Sequence, residues 1–286
     1  MPKFIVGARL HDYGKGSPDE LFGRVAADGF AAVQLAYKKC VPSVRSYADV
    51  TDTLVTETVA AEKAHSIQVA VLGTYVELAI NDESRLKNAA DFKSQLAVCK
   101  ALGARCIGTE TTSMEKQPAG TTREEAQELL CRSLADILPA AEALGVTVAV
   151  EPVTYHSMNS AAATRHILDT MCSPNLKVIF DMSNLVDAGN VGAQDRIWND
   201  VGELLGDQIV AVHFKGQAFA PDGGLLHTSL EDSLTDYAGA FAMLRQLPQD
   251  ALPVLREEAV PARAASDIAF MRGFFHDRNG TQNMGR

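Results

Sequence analysis

The chain has 286 residues, 47% of them hydrophobic and 22% charged, and a net charge of −10. This is globular composition with enough apolar content for a large core. The acidic balance argues against nucleic acid or an anionic membrane as a main partner, and no apolar run reaches the ~18 residues of a membrane span.

Strand-like and helix-like stretches alternate from end to end. Residues 4–8 read as a first strand, and Ser17 then offers an N-cap with Pro18 in the first helical turn. A second strand at 30–35 precedes a helical stretch at 47–65. A third strand at 67–72 precedes another at 83–102, closed by Gly103. After a fourth strand at 104–108, Thr122 and Glu125 have capping-box spacing ahead of a helix ending at Leu144 and Gly145. Strands at 146–151, 176–181, 209–213 and 252–257 follow, with helices expected at 160–172, 193–205, 234–247 and 262–275. Residues 276–286 are polar and expected to be a flexible tail. No linker or composition break interrupts this pattern. It predicts an α/β fold, a single (β/α)8 TIM barrel over residues 1–275. The rival is a doubly wound open sheet, and no GxGxxG or GxxxxGK[ST] follows the first strand to favour it.

Five scattered cysteines, Cys40, Cys99, Cys106, Cys131 and Cys172, contain no CxxC pair. They read as reduced thiols in a cytoplasmic protein. The N-terminus enters a strand without a signal-peptide pattern.

The last four strands each finish on a metal-ligand side chain: Glu151, Asp181, His213 and Glu257. In parallel α/β sheets the C-terminal strand ends form the active face, so these four are expected to converge. Three carboxylates and an imidazole suit one divalent ion, Mn²⁺, Mg²⁺ or Co²⁺, and Zn²⁺ less distinctively. Strand-end acids can instead cap the next helix or face solvent. Successive strand residues face opposite ways, so only one of Glu257 and Glu258 can point inward. Glu257 is the expected one, with Arg256 then facing outward at a strand tip. The same period places Lys215 on the side of His213. Further candidates for substrate contact are His156 in the fifth loop, Glu110 at the end of the fourth strand, Asn184 after Asp181, and His11 and Gln34 near the first two strand ends. Tyr75, Phe214 and Phe219 are candidates to wall the pocket.

These segments resemble the sugar-phosphate isomerase/epimerase superfamily with the xylose-isomerase-like barrel, which includes tagatose/psicose 3-epimerases and inositol-catabolism enzymes. The resemblance is carried by Val150-Glu151-Pro152-Val153 with His156, by Phe180-Asp181 with Asn184-Leu185, by Val212-His213 with Lys215, and by Leu255 with Glu257-Glu258. Gly108-Thr109-Glu110 matches a subset. The resemblance covers nearly the whole chain, most strongly from about residue 141 onward. It implies that Glu151, Asp181, His213 and Glu257 bind one divalent ion, often Mn²⁺, and that Glu151 and Glu257 also shuttle protons. Three departures stand out. Asn184 replaces the usual His of ketose 3-epimerases, Phe219 replaces a usual Arg, and the stretch from Leu230 to Tyr237 lacks the Gly-x-Gly turn of many members.

The reaction expected is isomerisation or epimerisation of a sugar or sugar phosphate by proton transfer beside a carbonyl. It needs a Lewis acid and acid–base groups on two faces. A metal-dependent lyase or dehydratase on a keto-inositol or polyol would use the same ligands. An endonuclease-type hydrolase would want more histidines and a basic face, against seven histidines and −10 here. A non-catalytic barrel is the fourth alternative. The expected partner is a small molecule, with homodimer and homotetramer both left open.

Overall fold

A computed structural model describes residues 1–276. The tail expected at 276–286 therefore lies outside the described residues apart from His276. Ten strands are present among the described residues: β1 (Lys3–Arg9), β2 (Ala32–Leu35), β3 (Gln68–Gly73), β4 (Cys106–Glu110), β5 (Val148–Glu151), β6 (Leu176–Asp181), β7 (Ile209–Phe214), β8 (Gly216–Phe219), β9 (Leu225–Thr228) and β10 (Ala251–Arg256). Eight of them close into a barrel in the order β1, β10, β7, β6, β5, β4, β3, β2. The barrel pairings are parallel. β8 and β9 form an antiparallel hairpin in the loop after β7, which the sequence reading did not anticipate.

Ten α-helices accompany the strands among the described residues: α1 (Pro18–Ala27), α2 (Tyr37–Cys40), α3 (Asp52–His65), α4 (Asp82–Ser94), α5 (Leu96–Leu102), α6 (Arg123–Leu144), α7 (Ala161–Met171), α8 (Gln194–Leu205), α9 (Tyr237–Leu244) and α10 (Ala264–Arg272). The predicted caps form. Ser17 and Glu20 make a capping box on α1, and Thr122 and Glu125 make one on α6. Gly145 ends α6 in the left-handed region at φ 67°. No described helix is long and apolar enough to cross a membrane.

Two predicted helices are broken. The stretch 83–102 divides at Gln95, which is 2% exposed and donates its Nε2–H to the carbonyl of Tyr47 at 3.2 Å. The stretch 47–65 opens as a separate 3₁₀ turn, and α3 starts only after the Thr51 N-cap. The first break has a partner distant in sequence, which periodicity cannot register; the second is local, set by the Ser46–Asp49 capping box and by the Thr51 side chain accepting from the Leu54 N–H.

The barrel interior is filled by small and branched side chains, among them Ala32, Val71, Cys106, Ala149, Ile179, Ala211 and Leu255. Gly7 and Gly108 make room for the larger ones. A Cβ on Gly7 would meet Leu255 Cδ2 at 2.5 Å, and one on Gly108 would meet Ile179 Cδ1 at 2.4 Å. Two residues further along each strand the same alternation delivers polar groups to the C-terminal mouth. Leu255 leads to Glu257, Ala211 to His213, Ile179 to Asp181, Ala149 to Glu151, and Gly108 to Glu110. Register keeps these ends level, with Asp181 opposite His213 and Glu110 opposite Glu151.

Outward positions bury a second apolar layer beneath the helices. Phe214, considered above as a pocket wall, belongs to this layer. It is fully buried and stacks on Tyr237 with ring centroids 4.3 Å apart. Period two places it opposite His213, so it cannot face the mouth. Arg256 does face away from the barrel interior, as expected, but not as a strand-tip solvent residue. It is 2% exposed under α10, and its Nε–H donates to Asp267 at 2.8 Å. The buried acid makes the outward arginine tolerable.

Candidate metal centre

Glu151, Asp181 and His213 bring one ligand atom each to within 4.8 Å of one another. His213 Nδ1 lies 3.0 Å from Glu151 Oε2 and 3.4 Å from Glu257 Oε1. All four residues are essentially buried, none more than 3% exposed. β10 ends at Arg256, one residue before Glu257. The extended path continues nonetheless, because the Glu257 N–H donates to the Phe214 carbonyl at 3.0 Å. Glu258 then turns the chain through the left-handed region at φ 55°. Its carboxylate pairs with Arg9 at 2.8 Å, away from His213.

A surrounding shell orients this cluster. Asn184 Nδ2–H donates to Glu151 Oε1 at 2.6 Å, while Asn184 Oδ1 accepts from Lys215 Nζ at 2.7 Å. The backbone N–H groups of Ser183 and Asn184 donate to Asp181 Oδ1 at 2.7 and 2.9 Å. The Asp181 carboxylate is thereby held with Oδ2 turned toward Lys215 Nζ, 3.1 Å away. Tyr237 O–H donates to the Lys215 carbonyl at 2.7 Å and steadies that residue from the start of α9.

The donor set fits a divalent cation. Three carboxylates crowd a buried volume that holds one lysine and one imidazole, an anionic excess suited to a hard cation. Asp181 Oδ2 and both His213 ring nitrogens are buried without a hydrogen-bond partner. The close approach of Nδ1 to Glu151 is therefore an electrostatic contact and not an aligned hydrogen bond. Ionisation follows the same crowding. Burial disfavours an imidazolium at His213, but Glu257 and Glu151 outweigh it and lift the group to about 9. Burial is also the largest influence on Glu257, yet His213, Lys215 and Arg9 overcome it and bring the carboxyl to about 2. Glu151 has fewer cationic neighbours, and burial raises it despite His213. Lys215 is held protonated by Asp181, Glu257 and Glu151 against the cost of burial.

The remaining candidates distribute around this centre. Glu110 lines the same small void as Glu151, His213 and Glu257. Burial, then Glu151 and Glu257, pushes it up to about 7. Gln34 lines that void too, donating Nε2–H to the Tyr75 hydroxyl at 3.0 Å. His11 meets Tyr75 edge-on at 5.8 Å. His156 sits between the loops after β4 and β5, bridged to Ser113, with its carbonyl accepting from Arg123. Its ring is placed edge-on to Tyr155, 4.7 Å between centroids, and not among the four ligand-type groups. Phe219 lines a separate cavity beside Asn184. Larger clefts of about 610 and 760 Å³ lie at the opposite end of the barrel and between α8 and α9, and neither includes a strand-end acid.

Arg9 went unnoticed in the sequence. It pairs with Asp12 at 2.8 Å and Glu258 at 2.8 Å, and approaches Glu257 at 3.8 Å. The period-two argument applied to Gly7 would have brought it to the mouth. Ser183 was missed as well. Its role depends on a backbone turn, for which residue type is a poor signal.

A closed parallel barrel with acidic side chains and an imidazole gathered at its C-terminal mouth defines the class: a (β/α)8 barrel whose Glu151, Asp181 and His213 could hold a metal ion. More particularly, the chain belongs to the xylose isomerase-like TIM barrel family, whose model matches residues 22–273. Among curated proteins none matches the sequence. Solved structures share the fold at low identity. A 3-keto-D-glucoside 4-epimerase from E. coli is 17% identical, with 95% of this chain and 100% of that chain covered and a TM-score of 0.70. An L-ribulose 3-epimerase is 16% identical over 96% and 95%, with a TM-score of 0.72. A probable 3-DHS dehydratase from Bacillus anthracis is 15% identical over 98% and 100%, with a TM-score of 0.70.

Proposed function

We propose that this protein is a divalent-metal-dependent sugar isomerase or epimerase working by proton transfer beside a carbonyl. One observation carries the reading: Glu151 and Glu257 flank His213 at 3.0 and 3.4 Å within a buried cluster that also holds Asp181. Glu151, Asp181, His213 and Glu257 are the residues to hold the ion, with Mn²⁺ the first candidate and Mg²⁺, Co²⁺ and Zn²⁺ the others. The chemistry such an ion supplies is withdrawal of charge from the substrate oxygens next to the acidic C–H.

The chain's own groups supply the rest. Glu151 and Glu257 come from β5 and the end of β10, which lie on either side of the β6–β7 pair. One carboxylate takes the proton from carbon on one face, and the other returns a proton on the opposite face. Lys215 places positive charge beside Asp181 and Asn184, where a substrate oxygen gains from it. Glu110, with its carboxyl raised to about 7, borders the same space for hydroxyl contacts, and His11 stands behind Tyr75, which lines it. The names of the two epimerases of like fold support a sugar substrate. The dehydratase among them supports a second reading, elimination of water after the same proton abstraction. Five unpaired cysteines fit the cytoplasm.

Incubation with ketoses, ketose phosphates and inosose in D₂O with Mn²⁺ tests this. Deuterium should enter the carbon beside the carbonyl, with an epimer or isomer as product. A dehydrated product would select the second reading. No exchange with any of them would refute both.

A further inference from the structure

Two spaces at the barrel mouth differ widely in size. The void enclosed by Gln34, Tyr75, Glu110, Glu151, His213 and Glu257 measures about 10 Å³, about one water-sized sphere. One side chain away, a second cavity of about 330 Å³ opens, within the range of ~300–1,000 Å³ usual for small-molecule sites. Asn184 lines the second cavity and donates to Glu151, which lines the first. Any substrate reaching the carboxylates has its bulk accommodated beside them, not among them.

The walls of this cavity come from four loops, with Glu115 following β4. Tyr155 follows β5, Val186 and Asp187 follow β6, and Phe219 and Leu225 belong to the β8–β9 hairpin. Its acidic side chains are Asp187 and Glu115, and no Lys or Arg is among its lining residues. The neighbouring cations are already engaged, Lys116 with Glu77, Arg123 with the His156 carbonyl, and Lys215, behind Asn184, with Asp181. A phosphate placed here would meet like charge without an uncommitted counter-ion. Two aromatic rings and a leucine, with Gln217 and Thr154 between, instead suit a neutral and partly apolar group.

We propose that this cavity is a subsite for an uncharged, partly apolar substituent, so that the substrate is a glycoside-type sugar derivative and not a sugar phosphate. The assignment rests on the sugar isomerase/epimerase reading and names its substrate class.

Calorimetric titration of the full-length protein with phenyl β-D-glucopyranoside, methyl β-D-glucopyranoside and glucose 6-phosphate tests it. The phenyl glucoside should bind about tenfold or more tighter than the methyl glucoside, and glucose 6-phosphate more weakly than either. Phe219→Arg should erase the phenyl advantage and leave methyl glucoside binding unchanged. Tyr155→Ala, on a separate loop and 49% exposed, should do the same even where a change in the hairpin disturbs folding. Equal affinity for the two glucosides, tighter binding of the phosphate, no binding of any probe, or a phenyl advantage that survives both variants would each overturn the subsite. Binding is read here without turnover. Absent deuterium exchange with this preference intact would remove only the proton-transfer reading. Exchange without the preference would remove only the subsite.

Discussion

Arg9 pairs with Glu258 at 2.8 Å, and this contact draws Glu258 out of the mouth while its neighbour Glu257 faces His213. Adjacent glutamates therefore differ in environment, one buried in the cluster and one 41% exposed at its side chain. Glu257→Ala should abolish Mn²⁺ binding measured by calorimetry. Glu258→Ala should leave it within a few fold and change stability by about 1 kcal/mol or less, because the Glu258 side chain is exposed and the largely buried Arg9 keeps Asp12 as its partner. Equal loss in both variants would reverse the assignment of these two residues.

Asp181 and His213 lie at the mouth, outside the layers that hold the barrel together. Asp181→Asn and His213→Ala should fold with native circular dichroism and lose Mn²⁺ affinity by about 100-fold or more, beyond what loss of a supporting group costs. Elemental analysis of the purified variants reads the outcome directly. Full metal occupancy in either would refute the centre.

Asn184 links Glu151 to Lys215 through bonds of 2.6 and 2.7 Å. Asn184→Ala should cut metal affinity or turnover by about 10–100-fold without abolishing either, the usual effect of removing a group that orients a ligand. The same substitution leaves one Glu151 oxygen without its donor. An unchanged affinity and rate would show that the bridge does not orient Glu151.

The Arg256–Asp267 pair makes a stability prediction away from the mouth. Both side chains are buried, at 3% and 1% exposure, and joined at 2.8 Å. Asp267→Leu alone strands a buried guanidinium and should cost about 3–5 kcal/mol in urea unfolding, whereas Arg256→Met with Asp267→Leu should recover most of that loss. Additive single and double effects would show the pair to be uncoupled.

His156 carries a pH prediction. Burial, and next Lys116, lower its ring to about 4, below the unfolded value near 6.5. Below 6.5 the unfolded chain takes up a proton that the folded chain resists. This contribution to stability is therefore complete above about 6.5 and is lost as pH falls toward 4. His11, brought down to about 3 by burial and then Arg9, acts in the same sense. Glu110, whose carboxyl is raised to about 7, acts in the opposite sense, so the effect is read as a difference: in EDTA the urea midpoint of the wild type should fall relative to that of His156→Gln between pH 7 and 5. A variant with an unchanged pH slope would exclude His156 as a source.

The barrel was readable because its signals are local. Apolar runs at β5, β6 and β7, the capping boxes at Ser17 and Thr122, and the glycine after α6 each lie within a few residues of the structure they specify. Period-two alternation then carried Glu151, Asp181, His213 and Glu257 to one face, and the same rule placed Lys215. Tertiary structure decided what depends on groups far apart in the chain. Gln95 breaks a helix because Tyr47 offers it a carbonyl. Arg256 is buried because Asp267 comes over it from α10. Glu258 leaves the mouth because Arg9 holds it, and the β8–β9 hairpin builds a cavity wall opposite Tyr155. Alternation along a strand is a property of neighbouring residues, whereas the partner of a buried charge is set only when the barrel closes.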